Sequence, residues 1–233
     1  MESDASRLEA TSPTLPELHS AEFVDVWDPT EYVHLEVTGA YGTRTAYVAN
    51  RVAEYAIDSF GAEIRRIHGS SVLSPAPASV AQNQDQALEV IEATLRDLNR
   101  RLAALEVERL LGERPRADAP IVLVIDEFAS LFDSPSTRSM NPSVPARIRE
   151  YLGDLLALGR DVGIHVILTG PTPSFAQWGH RDGIGQIVLG PMSSVTMARL
   201  TAGLYRVTEL PIRPIGAGWY FRPGDHQPLP VWF

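Results

Sequence analysis

Two adjacent carboxylates follow a short apolar run in the middle of the chain. Residues 121–125 read IVLVI, Pro120 precedes them, and Asp126 and Glu127 come directly after. A short, mostly β-branched run of this kind predicts a strand buried on both faces. Carboxylates there are costly to desolvate unless they serve a purpose, and the chemistry that suits them is holding hydrated Mg²⁺ and directing water at a phosphate. We therefore predict Asp126 and Glu127 as catalytic residues and Asp126 as a metal ligand; the alternative is a solvated acidic turn.

A strand, a glycine-containing loop and a helix precede this run. Residues 32–38 predict a strand, residues 45–59 predict a helix, and the sequence between them is GAYGTRT. A phosphate-binding loop has this architecture, because it wraps backbone N–H groups around an anion at a helix N-terminus. The candidate nucleotide-binding residues are Gly39, Gly42, Thr43, Arg44 and Thr45. The hydroxyl of Thr45 is the second candidate Mg²⁺ ligand.

The loop departs from the usual pattern G-x-x-x-x-G-K-[ST]. Counted from Gly39 it is one residue short, and counted from Thr38 it loses its opening glycine. Arg44 stands where lysine belongs, and no lysine exists elsewhere, since all 20 basic residues are arginine. The planar guanidinium is too large for a cradle that lysine enters as a point charge. Taken alone, the loop is compatible with a structural turn and with a binding loop.

Strands and helices alternate along the rest of the chain. Further strands are predicted at 62–68, 163–169 and 185–189, with a short one at 22–27, and further helices at 147–158 and 195–202. Residues 86–111 predict the clearest helix, with an apolar residue every three or four positions: Leu88, Ile91, Leu95, Leu98, Leu102 and Leu105. This face is compatible with packing on the chain's own sheet and with a coiled-coil partner. Residues 219–221 and 229–232 predict a closing hairpin, so the fold class is α/β with a mainly parallel central sheet flanked by helices and a C-terminal β-hairpin.

Composition limits the function classes. The chain has 233 residues, a net charge of −9 and no cysteine, which excludes disulfides and thiolate metal sites and argues against a general nucleic-acid coat. Residues 1–20 predict a flexible tail, and residues 21–233 predict one domain. Because there is no apolar stretch of membrane-spanning length and no signal-peptide pattern, we expect a cytoplasmic protein without a membrane span.

The other polar and aromatic residues favour structural roles. The six histidines show no metal-ligand spacing. The pairs Arg65–Arg66 and Arg100–Arg101 are interpreted as solvated or salt-bridged faces, with a DNA contact as the alternative. The four tryptophans are interpreted as packing residues.

A longer stretch resembles a known family. Residues 158–165, LGRDVGIH, are similar to the GRAxGIH segment of the FtsK/HerA superfamily of P-loop motors, which also follows a DE strand. The resemblance extends from about Tyr32 to the C-terminus and includes a late GAGWY strand at 216–220. It implies a RecA-like P-loop NTPase core, ATP and Mg²⁺ bound between subunits of a ring, and translocation of DNA or protein.

The departures from the family fall in its chemical motifs. Pro171 stands where the family has a glutamine that positions the γ-phosphate or its water, and His68-Gly69-Ser70 replaces an acidic DPK. We therefore expect a degenerate domain, catalytically inactive or a very weak ATPase, acting as a subunit of a larger assembly. The alternative is an active DNA or protein translocase subunit that needs residues from a partner. We expect self-association or a protein partner, and DNA binding that is weak without one and steeply salt-dependent.

Overall fold

The fold was established from a computed structural model. It describes residues 27, 34–40, 42–69, 80–112, 118–171, 184–191, 210, 212–222 and 228–233. The predicted tail at 1–20, the predicted helix at 195–202 and the hairpin turn at 223–225 lie outside these residues, as does the predicted strand at 22–27 except for the buried Trp27.

Seven strands and four helices alternate along the described chain. The strands are β1 (His34–Gly39), β2 (Glu63–His68), β3 (Ile121–Asp126), β4 (Ile164–Gly170), β5 (Ile184–Leu189), β6 (Ala217–Phe221) and β7 (Leu229–Trp232). The helices are α1 (Thr45–Phe60), α2 (Gln84–Leu111), α3 (Phe128–Asp133) and α4 (Val144–Leu158), and a 3₁₀ turn at Gly159–Val162 follows α4.

The strands form one sheet in the order β2-β3-β4-β1-β5-β6-β7. The first five strands in this order pair in parallel, while β6 and β7 pair antiparallel to β5 and to each other. The predicted α/β class, the mainly parallel sheet and the C-terminal hairpin are confirmed. Strands β1 and β4 are buried along their whole length; β4 (IHVILTG) is mostly apolar, as expected of a buried parallel strand, whereas β1 (HLEVTG) alternates polar and apolar residues.

Helices cover both faces of the sheet. On one face α2 and α4 pack against β3 and β4, and the core there includes Ile91, Leu98 and Leu155. On the other face α1 packs Val48, Val52 and Ala56 against β1 and its neighbours. The apolar side of α2 therefore packs on the chain's own sheet, which confirms one of the two predicted alternatives. No helix in the described ranges combines the length and apolar character needed to cross a membrane.

The residues that cap the helices explain where the observed helix bounds agree with the predicted ones and where they differ. Gly61 ends α1 in the left-handed conformation at φ 64°, so the helix extends one residue beyond its predicted end at 59. Asn83 accepts a hydrogen bond from the backbone N–H of Gln86 (3.0 Å), so α2 begins at Gln84, two residues before the predicted start. Helix α4 begins at Val144 rather than Arg147, because Pro145 is tolerated in a first turn that makes no internal N–H bond.

The arginine pairs have structural partners. Arg65 binds Asp97 (2.7 Å), and Arg66 binds Asn50. Arg101 is buried, donates to the carbonyls of Val162 (2.9 Å) and Ala119, and lies 3.6 Å from Asp118, so of the two predicted roles it is salt-bridged and not solvated.

Candidate functional site

The predicted site residues meet at one edge of the sheet. Because β1, β2, β3 and β4 are parallel, their carboxyl ends lie together. The register places His68 of β2 beside Asp126 of β3, and Thr38 of β1 beside Gly170 of β4. The loop after β1, the two carboxylates and Pro171 therefore share this edge.

The loop after β1 closes on itself. The backbone N–H and the hydroxyl of Thr43 both donate to the carbonyl oxygen of Ala40, at 3.0 and 2.7 Å. Gly42 supplies the positive φ (86°) that a turn of this kind requires at its third position. The side chain of Thr43 is 2% exposed, and a Cβ added to Gly39 would lie 2.2 Å from its hydroxyl oxygen. Gly39 is therefore needed to make room for Thr43.

Arg44 and Thr45 form the entrance to α1. Arg44 caps the helix with its carbonyl, which accepts from Val48 (3.1 Å), and its side chain is exposed. Its backbone is left-handed (φ 69°), which costs an arginine about 1 kcal/mol. Thr45 is the first helical residue and half-buried. The described contacts place no hydrogen bond between Thr45 and Asp126.

Asp126 is held by residues of the two neighbouring strands. His68 Nδ1 lies 2.9 Å from Asp126 Oδ2, and the hydroxyl of Thr169 donates to Oδ1. Burial alone would raise the pKa of Asp126, but these hydrogen bonds and the nearby imidazole hold it below its ordinary value. The hydrogen bond to Asp126 raises the pKa of His68 above its ordinary value, despite the opposing effect of burial.

Glu127 lies one residue further on, in a left-handed backbone conformation (φ 53°). Its N–H donates to the Thr169 hydroxyl (3.1 Å), and its carboxylate accepts from the hydroxyl of Ser130 (3.4 Å). Burial and the charge of Asp126 raise the pKa of Glu127. Among the described residues that are not glycine, Arg44 and Glu127 alone have positive φ, and both lie at this edge.

Sequence reasoning missed the roles of His68 and Thr169. The sequence gives His68 only as part of the segment that replaces the family's acidic DPK, and Thr169 only as the last residue of a predicted strand, yet they supply the two side-chain partners of Asp126. The available signal was position, since His68 ends β2 and Thr169 is the residue before the end of β4, the two strands adjacent to β3. The described ranges contain no group of three or more His, Cys, Asp or Glu side chains arranged to hold a metal ion.

Comparison with known proteins gives structural neighbours alone. No protein-family model and no curated protein matches the chain. The pCW3 conjugation coupling protein TcpA, solved with ATPγS, matches with a TM-score of 0.70 and 17% identity over 88% of this chain and 61% of that one. The cytoplasmic domain of EssC matches with a TM-score of 0.64 and 11% identity over 88% of this chain and 40% of that one.

A third neighbour is shorter. The genome packaging NTPase B204 of Sulfolobus turreted icosahedral virus 2, solved with ATPγS, matches with a TM-score of 0.53 and 11% identity over 86% of this chain and 96% of that one. The chain thus spans about three fifths of TcpA and two fifths of the EssC domain. At these identities the likeness establishes the fold.

Proposed function

We propose that this chain, which has the P-loop NTPase fold of the FtsK/HerA-type ATPases, is a non-hydrolysing subunit of a larger assembly. The loop after β1 and the carboxylates at the end of β3 lie at the same edge of the sheet, and this supports the assignment of that edge as the position of an ancestral ATP and Mg²⁺ site. The detailed geometry of this chain at that edge supports a structural role over turnover.

The closed loop at 40–43 is the observation that carries this proposal. A phosphate cradle needs backbone N–H groups that point at the anion. The N–H of Thr43 instead donates to Ala40 within the loop, and the Thr43 hydroxyl donates to the same oxygen. A phosphate bound through the N–H of Thr43 would have to break its hydrogen bond to Ala40.

The candidate metal ligand Asp126 already has partners within the chain. Each of its oxygens accepts a hydrogen bond, one from His68 and one from Thr169. Mg²⁺ requires near-octahedral oxygen ligands. Because each carboxylate oxygen keeps a second lone pair, these hydrogen bonds compete with Mg²⁺ for Asp126 but do not exclude it.

Two side chains that ATP hydrolysis would require are missing from the sequence, in agreement with this geometry. No lysine exists to enter a phosphate cradle, and Pro171 offers no side-chain amide that could position a water. Removing one such transition-state contact typically costs about 10²–10³ in rate. A chain that lacks several of them falls below useful turnover even if the losses do not add.

Titration with a fluorescent ATP analogue and a steady-state phosphate-release assay test the proposal together. The expected result is no Mg²⁺-dependent saturation and no turnover above background, with Asp126→Ala indistinguishable from the natural chain in both assays. Turnover near one per second that Asp126→Ala abolishes would overturn it.

One observation favours a second function, an ATPase completed by a partner's residues. The two strained non-glycine residues lie at this edge, and strain of this kind concentrates at functional sites. The raised pKa of Glu127 would also suit a general base. This alternative predicts ATP turnover that appears when the protein assembles, with itself or with a partner, and that Glu127→Gln abolishes.

DNA, as one cargo of such an assembly, would be bound weakly by this acidic chain alone. Binding would rest on arginine contacts to phosphates and would weaken steeply with salt.

A further inference from the structure

The C-terminal end of α2 extends past the end of α4 in the described part of the chain. Helices α2 and α4 run side by side in the same direction, as the pairs Glu92–Arg147 and Arg101–Val162 record. Arg101 already contacts the turn that follows α4, so residues 102–111 extend past it. Ten residues of helix span about 15 Å. This overhang leaves the sheet at the amino ends of β3 and β4, opposite the candidate site.

The overhang carries apolar residues on two opposite sides. Leu98 is buried, and Leu102 and Leu105 are half-buried, on the side that packs on the domain. The opposite side carries the exposed residues Ala103, Ala104, Val107, Leu110 and Leu111. Val107 is 54%, Leu110 78% and Leu111 67% exposed. With 100° of rotation per residue these five fall within one arc of about 120°, centred directly away from the domain.

Charges lie around this arc in a definite order. On the same outward side, one to two turns earlier, stand the exposed Arg96 and Arg100, and Arg100 also pairs with Asp97 on its own helix at 3.0 Å. Glu106 and Glu108 border the arc on its two flanks. Toward the C-terminus of α2, the outward surface is therefore first basic and then apolar, with an acidic residue on each side of the apolar part. An antiparallel copy of the same surface complements it, whereas a parallel copy would place arginine against arginine.

We propose that the outward arc of α2 is a two-fold interface with a second copy of this chain, in which the two helix ends pair antiparallel. With the axis near residue 105, the small side chain of Ala103 faces Val107 of the other copy, and Arg100 reaches the other copy's Glu108. Because the arc points away from the domain, the two domain bodies lie on opposite outer sides of the helix pair.

The size of the arc sets the strength of this contact. Two helix turns bury less area than the roughly 800 Å² per partner of a standard stable interface, so the dimer is weak and depends on concentration. The proposed dimer rests on the proposed function, because it specifies one contact of the larger assembly, but it does not involve the nucleotide site. Its failure and the discovery of ATP turnover are therefore separate outcomes.

Sedimentation velocity of the full chain over a concentration series is the first test. We expect a monomer–dimer equilibrium that Leu110→Arg shifts to monomer, because position 110 faces Arg100 of the other copy. The matched control is Ile57→Arg, which places the same charge on an exposed apolar residue of α1, 46% exposed, and should leave the dimer intact. A monomer at every concentration, or a dimer that Leu110→Arg leaves unchanged, would overturn the proposal.

Charge reversal and cross-linking test the orientation. Arg100→Glu and Glu108→Arg should each weaken the dimer, and the double variant should restore it, with circular dichroism verifying the fold. Because the chain has no cysteine, single-cysteine variants report one position each. Ala103→Cys should cross-link with a short bis-maleimide, while Arg96→Cys should not, since antiparallel pairing separates the two copies of that position by about 27 Å. Cross-linking of both variants would mean parallel helices and would contradict the pairing.

Discussion

At the scale of single residues, the candidate site is defined by which groups already have partners. Thr43 satisfies the carbonyl of Ala40 twice, and Asp126 is held from both sides by His68 and Thr169. These contacts involve side chains at the ends of four different elements. The polar groups at this end of the sheet therefore bond to one another, whereas a site that exchanges a charged ligand must leave such groups available to it.

The hydroxyl of Thr43 should stabilise the closed loop. Thr43→Val keeps the shape of the side chain but removes the donor to Ala40, and we expect a loss of about 1 kcal/mol in the free energy of unfolding, measured by urea denaturation. Thr45→Val is the control, because the described contacts give the hydroxyl of Thr45 no hydrogen bond. Equal effects of the two substitutions would show that the Thr43 contact does not stabilise the loop.

The His68–Asp126 pair should make stability depend on pH. A raised pKa in the folded state means that the contribution of His68 is fully present below the ordinary value of 6.5 and is lost as pH rises through the folded value. The lowered pKa of Asp126 makes its contribution present above the ordinary 3.8 and lost as pH falls through the folded value. His68→Gln should therefore cost more stability at pH 5.5 than at pH 8.5. Chemical denaturation at both pH values measures this, and an equal cost at each would contradict it.

At the scale of elements, close approaches between segments position the sheet. Gly159 joins α4 to the turn before β4, and a Cβ there would lie 2.4 Å from the carbonyl oxygen of Ile164. Nearby, the buried ring of His34 in β1 accepts from the N–H of Val166 in β4 and lies 3.1 Å from the carbonyl of Leu156 in α4. The end of α4 is therefore fixed against β4 by a close backbone approach and against β1 through the His34 ring.

Two glycines of the same region predict opposite effects of alanine. Gly159→Ala should destabilise the protein by about 1–3 kcal/mol, because the new methyl meets backbone that cannot move freely. Gly153, inside α4, has no atom within 4 Å of an added Cβ, so Gly153→Ala should stabilise by about 0.5–1 kcal/mol through helix propensity. Thermal unfolding followed by circular dichroism compares them, and the same sign for both would refute the steric argument.

At the scale of the whole molecule, both edges of the described sheet carry features that hinder pairing with a further strand. At the β2 edge, Ala81 pairs with Ile67 and exchanges hydrogen bonds with Arg66 and His68, which covers the carboxyl end of that strand. At the β7 edge, the N–H of Phe233 donates to Gly216 (2.8 Å), and the alternation of antiparallel pairing then turns residues 228, 230 and 232 outward. Two of these three are prolines, which have no N–H to offer a new strand. These features favour assembly through helices or loops.

Replacing these edge prolines should expose the molecule to aggregation. The double variant Pro228→Thr/Pro230→Thr restores two outward donors beside the apolar Trp232, and we expect increased light scattering and thioflavin fluorescence on incubation. Pro214→Thr changes an exposed proline outside the strands and serves as the control. If the double variant remains as soluble as this control, the prolines do not protect the edge.

The sequence by itself determined the order of elements and the central strand, because apolar periodicity and helix caps are local properties. The run before Asp126, the glycine stop at Gly61 and the apolar side of α2 each identify their element without reference to the rest of the chain. The sequence also identified the candidate site residues by motif, as a loop and two carboxylates that each follow a predicted strand.

Only the tertiary structure decided what the site residues contact. The partners of Asp126 lie 58 residues before it and 43 residues after it (126 − 68 and 169 − 126), and no local pattern specifies such pairings. The closure of the 40–43 turn over Gly39 likewise depends on side-chain volume in a crowded space. The second apolar side of α2 was missed because periodicity reports how residues repeat along a helix, while exposure depends on where the domain beside the helix ends.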